Sequence, residues 1–320
     1  MMKALVPLNN TEHIDDYIKA GAGEFYIGFY DEAWREKFGD YADINRLTGF
    51  RENANPYSLQ EVIEIISLVK EKGVMIYVTF NASLYAEEQL RYIEDYMKKL
   101  KSATDLDGVI VSCPELVDIA VNLGINAVIS TISGVYNSDI AKFYKNLGAK
   151  RIILPRDLSV SEIEAIIHSM PDMEYEIFMM RNGCRYSDGN CLGFHRSEKS
   201  AICGCIGGAR RDLHLEGNTF KTKHEVELND IIYTQSFHSS ACGLCSIYRF
   251  VKLGIAAGKI VGRSDEWQYV CRDIQLIKQN VEIAKECQSE EEYLDKMVLP
   301  EDSALICKLG LSCYYPEVRF

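Results

Sequence analysis

The chain has 320 residues, of which 47% are hydrophobic and 26% are charged, and its formal net charge is −12. This composition is typical of a globular protein and excludes a disordered or fibrous chain. The acidic balance argues against strong nonspecific binding to nucleic acid or to an acidic membrane surface. No apolar run reaches the roughly 18 residues that span a bilayer, and the first residues lack the apolar stretch of a secretory signal. We therefore expect a cytoplasmic protein with no membrane partner.

Short apolar runs alternate with amphipathic runs along most of the chain. The apolar runs predict eight strands, at residues 3–7, 24–28, 74–80, 108–112, 127–130, 151–154, 174–180 and 259–262. The amphipathic runs predict helices at residues 11–20, 58–72, 86–103, 115–123, 138–147, 159–169 and 264–287. Strands that alternate with helices pair in parallel through right-handed crossovers. Eight such units predict an α/β fold, a closed (β/α)8 barrel of the TIM type.

Local signals mark the ends of several predicted helices. A glycine, which readily adopts the left-handed conformation that ends a helix, precedes five of the apolar runs: Gly21, Gly73, Gly124, Gly148 and Gly254. Ser58 with Glu61, and Ser159 with Glu162, have the spacing of a capping box at a helix start.

Two segments interrupt the alternation. One is a polar loop at residues 30–57, and the other is a long insertion at residues 181–257, between the seventh and eighth strands. In a barrel, both would lie at the carboxyl-terminal mouth, where the loops after the strands form the active site. We expect residues 1–287 to form a single barrel that includes the insertion, and residues 288–320 to form a tail packed on it.

The insertion at residues 181–257 is rich in cysteine. It holds six of the eleven cysteines and four of the six histidines of the chain. Disulfides are rare in the cytosol, so spaced cysteines there are typical of a metal site. The other five cysteines are scattered, and we expect them to be small buried apolar residues: Cys113, Cys271, Cys287, Cys307 and Cys313.

The cysteines of the insertion allow three interpretations. A [4Fe–4S] cluster needs four converging thiolates, which Cys184, Cys191, Cys205 and Cys245 would supply. A zinc site would use two closely spaced pairs, Cys203 with Cys205 and Cys242 with Cys245. A redox dithiol at Cys242 and Cys245 is the third interpretation, and it leaves four cysteines unexplained. Spacing alone does not distinguish iron–sulfur from zinc.

Charged residues follow two of the predicted strands. Arg156 and Asp157 come after the sixth strand, and Lys259 and Arg263 flank the end of the eighth. Such groups at a barrel mouth can hold an anionic substrate, because arginine presents a planar fork that matches a carboxylate. These four residues are the candidate catalytic residues. The alternative is an ordinary local ion pair within each segment.

Polar residues also follow the third and fifth strands. Asn81, Ser130 and Thr131 are candidates for orienting a substrate, together with Arg156 and Arg263. Ordinary hydrogen bonding within loops is the alternative role for the three uncharged residues. The sequence contains no His-Glu-x-x-His or Gly-x-Ser-x-Gly motif, and no cysteine has a histidine partner at a motif spacing. Proteolysis therefore has no support from motifs.

Several motifs, taken in order, resemble those of the peptidase U32 (collagenase-like protease) family. The run from Glu176 through Cys184 to Gly189-Asn-Cys191 resembles the family signature, and Cys205-Ile-Gly-Gly-Ala-Arg210 follows it. Gly243-Leu-Cys245 and Lys259-Ile-Val-Gly262-Arg263 match its closing motifs. Earlier motifs also fall in matching order: Tyr26-Ile-Gly28, Val78-Thr-Phe-Asn81, Ser130-Thr131, Asn137 and Leu154-Pro-Arg156-Asp157. The resemblance covers about residues 1–265.

The resemblance implies a barrel with a cluster held by cysteines at its mouth. Members of the family that act as oxygen-independent hydroxylases, in ubiquinone synthesis and on transfer or ribosomal RNA, carry a [4Fe–4S] cluster. Carried over to this chain, the cluster ligands are Cys184, Cys191, Cys205 and Cys245. Cys205 is preferred to Cys203 because it places Arg210 in register with the family motif. Where the family has a small His-Gly-Ala-like step before the first cysteine, this chain has Met180-Arg181-Asn182.

The expected function is therefore that of an iron–sulfur enzyme. It would perform oxygen-independent hydroxylation, or a related redox modification, of a small organic or RNA-linked substrate. One alternative is a U32-type peptidase, and another is a zinc-stabilised structural or partner-binding protein. A related U32 subunit or a second copy of the chain is the expected protein partner.

Overall fold

The predicted barrel is confirmed. In this computed structural model, the structure describes residues 1–39, 42–46, 55–184, 187–191, 240–263, 265–300, 307 and 312–318. Eight parallel strands pair in sequence order and close into a barrel: β1 (Lys3–Pro7), β2 (Ala22–Ile27), β3 (Met75–Phe80), β4 (Gly108–Val111), β5 (Ala127–Ile129), β6 (Arg151–Ile153), β7 (Glu174–Met180) and β8 (Ala257–Ile260). The register pairs Leu5 with Lys259 and Phe178 with Lys259, which joins β8 to both of its neighbours.

Helices connect the strands around the outside of the barrel. Their bounds are α1 (Ile14–Ala20), α2 (Glu32–Phe38), α3 (Leu59–Glu71), α4 (Glu87–Ala103), α5 (Pro114–Asn122), α6 (Ser138–Asn146), α7 (Val160–Ser169), α8 (Ile247–Lys252), α9 (Trp267–Glu286) and α10 (Glu290–Lys296). Single 3-10 turns lie at Thr11–His13, Thr131–Ser133, Asp188–Asn190 and Leu244–Ser246. Within the described residues, every helix is too short or too polar to cross a bilayer.

The local signals read from the sequence act as predicted. Both capping boxes are formed, at Ser58 with Glu61 and at Ser159 with Glu162. The five glycines that end helical runs all have positive φ angles, between 66° at Gly124 and 116° at Gly21. These angles are ones that glycine adopts without steric cost.

The segment at residues 30–57 was wrongly expected to be loop throughout, since it contains α2. Asp31 caps this helix by accepting a hydrogen bond from the amide of Ala33 at 2.9 Å. The helix buries a single side chain, that of Trp34, against the rings of Phe38, Tyr92 and Tyr96. One buried position in seven gives no 3.6-residue apolar period, so sequence periodicity could not reveal the helix.

The barrel interior contains buried ion pairs. Arg151 on β6 donates from Nη1 to Glu24 on β2 at 2.5 Å and from Nη2 at 3.1 Å. Because β2 and β6 lie on opposite sides of the barrel, this pair crosses the interior. Lys259 on β8 donates to Glu176 on β7 at 2.8 Å. In these two pairs each buried charge is balanced by an opposite one, which offsets the cost of burial in a low-dielectric interior.

The described C-terminal residues lie against the end of β7. Cys242 forms an antiparallel bridge with Met180 and a parallel bridge with Cys313. The Cys242 amide donates to the carbonyl of Ser312 at 2.7 Å, and the Tyr314 amide donates to the carbonyl of Cys242 at 2.9 Å. Residues 312–318, which we call the tail segment, therefore extend the sheet at the mouth of the barrel. The division of the chain into a barrel and a separate tail stays a prediction.

Candidate active site

The polar residues predicted at the strand ends lie together at the carboxyl-terminal mouth. Asn81 donates from Nδ2 to Ser130 Oγ at 3.3 Å, and Thr131 Oγ1 donates to Asp188 Oδ2 at 3.0 Å. All four side chains are buried. They come from the loops after β3, β5 and β7, so barrel closure joins residues that are up to about 100 positions apart in the chain.

Asp188 is the centre of this network. Arg156 donates from Nε to Asp188 Oδ2 at 2.8 Å, and Arg46 Nη1 lies 3.7 Å from Oδ1. Burial alone would raise the pKa of Asp188, but the two guanidinium groups outweigh it and hold that pKa below its ordinary value. The carboxyl group is thus a buried anion shared by two cations. The charge of Arg156 is matched here by Asp188.

Asp157, the other candidate after β6, faces away from this network. Its side chain is exposed, and it accepts a hydrogen bond from Tyr136 Oη at 3.0 Å. The local Arg156–Asp157 ion pair considered from the sequence is not among the described contacts of Arg156, which instead pairs with Asp188.

Arg263 is a buried cation of a different kind. Its side chain is 7% exposed, and Nη1 lies 2.6 Å from Asn55 Oδ1, 3.4 Å from Asn45 Oδ1 and 3.4 Å from the carbonyl of Arg46. Among the described carboxylates, none lies within 4.0 Å of this guanidinium. Burial lowers the pKa of Arg263, Tyr26 opposes that shift, and Arg46 adds to it. Arg263 is therefore held by neutral oxygens.

Two further groups shape the surroundings of Arg263. Asn55 Nδ2 is buried and has no hydrogen-bond partner within the part of the chain that the structure describes. A Cβ atom at position 28 would clash with Asn55 Oδ1 and lie 3.0 Å from Arg263 Nη1. Gly28 therefore leaves the room that lets this arginine and this asparagine meet.

Lys259 lies on β8, four residues before Arg263, which follows the end of that strand. Its Nζ atom lies 4.1 Å from the centre of the Tyr26 ring and donates to Glu176. Burial lowers the pKa of Lys259, and Glu176 opposes that shift. Tyr26 donates from Oη to the carbonyl of Ile260 at 3.0 Å, and burial raises the pKa of Tyr26 to about 12. Both cations of the strand end thus face one aromatic ring.

Two of the predicted cluster ligands lie next to Arg46 and Arg156, the arginines that pair with Asp188. The thiol of Cys191 accepts a hydrogen bond from Arg46 Nη2 at 3.3 Å, and its carbonyl accepts one from Ser83 Oγ at 2.9 Å. Cys184 follows β7 and interacts electrostatically with Arg156 and Tyr314. Arginine donors beside a thiol stabilise its anionic, ligating form.

Cys245 lies in the short turn before α8, beside Cys242. Burial raises the pKa of Cys242 well above its ordinary value, and Cys245, Cys307 and Cys313 raise it further. Cys307 and Cys313, which are far from the insertion in sequence and were predicted to be small buried residues, therefore lie near the Cys242–Cys245 pair. Cys307 is buried as predicted, whereas Cys313 is only partly buried. Cys203, Cys205, His195 and Arg210 lie outside the described residues.

The donor chemistry of the described residues fits a thiolate-bound group, since both iron–sulfur clusters and zinc take soft sulfur ligands. Within the ranges described, no three or more cysteine, histidine, aspartate or glutamate side chains form a group arranged to hold a metal. Because Cys205 falls outside those ranges, the four-cysteine ligand set stays a prediction, and so does the alternative zinc set.

Sequence reasoning missed Arg46, Asp188 and Tyr314. Asp188 lies within the motif between Cys184 and Cys191, so an acidic residue inside a cysteine motif was a usable signal. Arg46 lies in the polar segment at residues 30–57, which was expected at the mouth. Tyr314 had no signal at all, because nothing local distinguishes a tail residue that returns to the site.

A model of peptidase family U32 matches residues 9–304, and the chain belongs to this family. It is 27% identical over 290 residues to an uncharacterized protease of Methanocaldococcus jannaschii, covering 88% of this chain and 65% of that protein. It is 26% identical over 287 residues to tRNA hydroxylation protein P1 of Bacillus subtilis, covering 87% of this chain and 62% of that protein. A solved structure of a U32 peptidase matches with a TM-score of 0.48 and 16% identity, covering 68% of this chain and 83% of that one.

The chain spans less than two thirds of the length of these two relatives. Their names also point to two different activities, proteolysis and RNA hydroxylation. Membership of the family therefore supports an enzyme of this general kind, and the reaction has to be argued from the site.

Proposed function

We propose that this protein is a cytoplasmic iron–sulfur enzyme that performs oxygen-independent hydroxylation, or a related redox modification, of an RNA-linked or small organic substrate. The observation that carries the proposal is the buried guanidinium of Arg263, which has no carboxylate among its described neighbours. It lies against the carbonyl of Arg46, whose guanidinium donates to Cys191. The likeness to the tRNA hydroxylation protein of Bacillus subtilis supports the same reaction class.

The charges at the mouth favour an anionic ligand. Arg46 and Arg156 share one carboxylate, that of Asp188, while the partners of Arg263 among the described residues are neutral oxygens. Keeping a cation buried without a counter-ion costs free energy, so such a group is typical of a site whose ligand supplies the missing charge. A carboxylate or phosphate group would satisfy both Arg263 and the unpartnered Nδ2 of Asn55.

The remaining side chains have separate roles in this proposal. Asn81, Ser130 and Thr131 orient the uncharged part of the substrate, and Arg156 is kept in place by Asp188. Lys259, whose pKa burial lowers, is the group best placed to exchange a proton, with Glu176 as its hydrogen-bond partner. Cys184, Cys191, Cys205 and Cys245 would hold the cluster, which would supply electron transfer when bound.

A peptidase is the second candidate, because a relative is named a protease. A hydrolytic cysteine or serine needs a general base within hydrogen-bond reach, most often a histidine. His13 and His168 are the histidines in the described ranges; His13 lies in the turn before α1 and His168 lies in α7, on the outside of the barrel. The other four histidines lie outside the described residues, in the same insertion as the cysteines. We prefer the redox reaction because the cysteine motifs and the likeness to the tRNA hydroxylation protein of Bacillus subtilis both support it.

The proposal is tested by preparing the protein without air and measuring iron and acid-labile sulfide. We expect about four iron atoms per chain, the content of a [4Fe–4S] cluster. Cys184→Ala, Cys191→Ala, Cys205→Ala and Cys245→Ala should each lose the iron, whereas Cys203→Ala and Cys242→Ala, the matched controls, should keep it. A colourless protein that contains only zinc would refute the proposal. Loss of iron from Cys203→Ala but not from Cys205→Ala would show that the ligand assignment is wrong.

A partner subunit is a separate part of the proposal. A related U32 chain, or a second copy of this chain, is expected to join the enzyme, and nothing in the described site depends on it.

A further inference from the structure

Strand β7 ends in a turn with an unusual backbone. Arg181 has a φ angle of 62° and Asn182 one of 45°, and within the described residues they are the two that combine a side chain with a positive φ. Residues with side chains rarely adopt this left-handed conformation, and strained backbone of this kind tends to occur at functional sites. The 181–182 turn leads directly to Cys184, two residues later.

Surrounding elements hold this turn at both of its residues. The Arg181 amide donates to the carbonyl of Ala241 at 2.7 Å, and the Arg181 side chain forms an ion pair with Asp273 on α9. Asn182 donates from Nδ2 to Asp265 Oδ2 at 3.0 Å, and its carbonyl accepts a hydrogen bond from Arg156 Nη1 at 2.8 Å. These contacts compensate for the strained backbone.

The last contact comes from the tail segment. Tyr314 donates from Oη to the carbonyl of Arg181 at 2.5 Å. The Tyr314 side chain is 4% exposed, and the centre of its ring lies 6.1 Å from the centre of the Phe178 ring. The Phe178 ring centre in turn lies 4.2 Å from the guanidinium carbon of Arg156. Tyr314 also interacts electrostatically with Cys184 and Asp188. A residue beyond the stretch matched by the family model, which ends at residue 304, therefore belongs to the mouth.

We propose that Tyr314 and Arg181 are positioning residues that hold the 181–182 turn so that the thiol of Cys184 faces the barrel mouth. The inference rests on the proposed function, in which Cys184 is a cluster ligand. A metal ligand acts with its full affinity only when neighbouring hydrogen bonds fix its orientation.

The test compares two tyrosines of the tail segment. Tyr314→Phe keeps the ring and removes the hydrogen bond to the turn. Tyr315→Phe is the matched control, because Tyr315 is equally buried and donates to a backbone carbonyl, that of Phe178, at 3.0 Å. The first readout is the alkylation rate of Cys184 in metal-free protein, followed by mass spectrometry with Cys113 as the internal reference.

We expect Tyr314→Phe to raise the Cys184 alkylation rate about fivefold, the equilibrium change that one lost hydrogen bond produces. Tyr315→Phe should leave the rate within about twofold of wild type. Arg181→Met combined with Asp273→Asn, which removes the ion pair, leaves no buried charge and keeps a side chain at the positive-φ position, should also raise the rate. Equal rates in all the proteins, or equal effects of Tyr314→Phe and Tyr315→Phe, would overturn the inference.

The second readout is the electron paramagnetic resonance spectrum of the reduced, iron-loaded protein. Tyr314→Phe should shift this spectrum relative to wild type, and Tyr315→Phe should not. If wild type holds no iron or sulfide, the proposed function fails, while the alkylation of metal-free protein still decides whether the turn is held by Tyr314. If Tyr314→Phe changes neither the spectrum nor the alkylation rate, the positioning role of Tyr314 is refuted, and the proposed function is unaffected.

Discussion

Removal of the two buried arginines of the mouth should destabilise the fold to different extents. Arg156 is paired with Asp188 at 2.8 Å, whereas Arg263 has neutral oxygens as its described partners. Arg156→Met would leave a buried carboxylate whose remaining cation, among the described residues, is the more distant Arg46 at 3.7 Å. No described carboxylate pairs with Arg263, so Arg263→Met would not leave a buried carboxylate unbalanced. We expect Arg156→Met to destabilise the fold much more than Arg263→Met.

The size of the difference follows from these contacts. Removing one partner of a buried ion pair costs about 3–5 kcal/mol of stability. Because Arg46 still partly balances the charge of Asp188, we expect the cost of Arg156→Met to lie near the lower of these values. Removing Arg263 costs mainly its hydrogen bonds, about 1 kcal/mol. For 320 residues, the unfolding entropy is roughly 0.7 kcal/mol/K, so a gap of about 2 kcal/mol corresponds to about 3 °C in Tm.

The assay is thermal unfolding of both variants with and without inorganic phosphate. Phosphate at ten times its Kd should stabilise wild type by about 1.4 kcal/mol, or about 2 °C, and this gain should be lost in Arg263→Met. Arg263→Lys, which keeps the charge, should retain part of the gain. If Arg263→Met is as destabilised as Arg156→Met, the guanidinium has a counter-ion and the anion site is refuted. Equal stabilisation of wild type and Arg263→Met by phosphate would also refute it.

Two further predictions concern buried carboxylates. The pKa of Asp188 is lowered in the folded state, so its contribution to stability is complete above its unfolded pKa of about 3.9 and is lost as the pH falls through the folded pKa. In urea unfolding, the stability gap between wild type and Asp188→Asn should therefore stay constant above about pH 5 and shrink as the pH falls below about 4, and a gap that stays constant down to about pH 2 would contradict the assignment. Inside the barrel, Glu24→Gln should destabilise by about 3 kcal/mol because Arg151 loses its principal partner. Glu174→Gln, at the exposed partner of the same arginine, should cost less than about 1 kcal/mol, and equal losses would show that the interior pair is not the stabilising one.

Local sequence patterns were enough to predict the barrel. The alternation of apolar runs and amphipathic runs, the positive-φ glycines such as Gly21, and the capping boxes at Ser58 and Ser159 are properties of neighbouring residues, so they can be read without knowing the fold. Strand ends could also be placed at the mouth in advance, which is why Asn81, Thr131 and Arg263 were candidates. Helix α2 was missed because a helix with one buried side chain leaves no periodic trace.

Tertiary structure alone decided which of these residues meet. The partners of Arg156 and Arg151, namely Asp188 and Glu24, follow from barrel closure, which brings residues far apart in sequence within hydrogen-bond distance. Tyr314 reaches the turn before Cys184 because the tail segment pairs with Cys242. Periodicity reports how a residue relates to its neighbours in the chain, whereas an ion pair depends on distances through space, and those distances exist only once the barrel has closed.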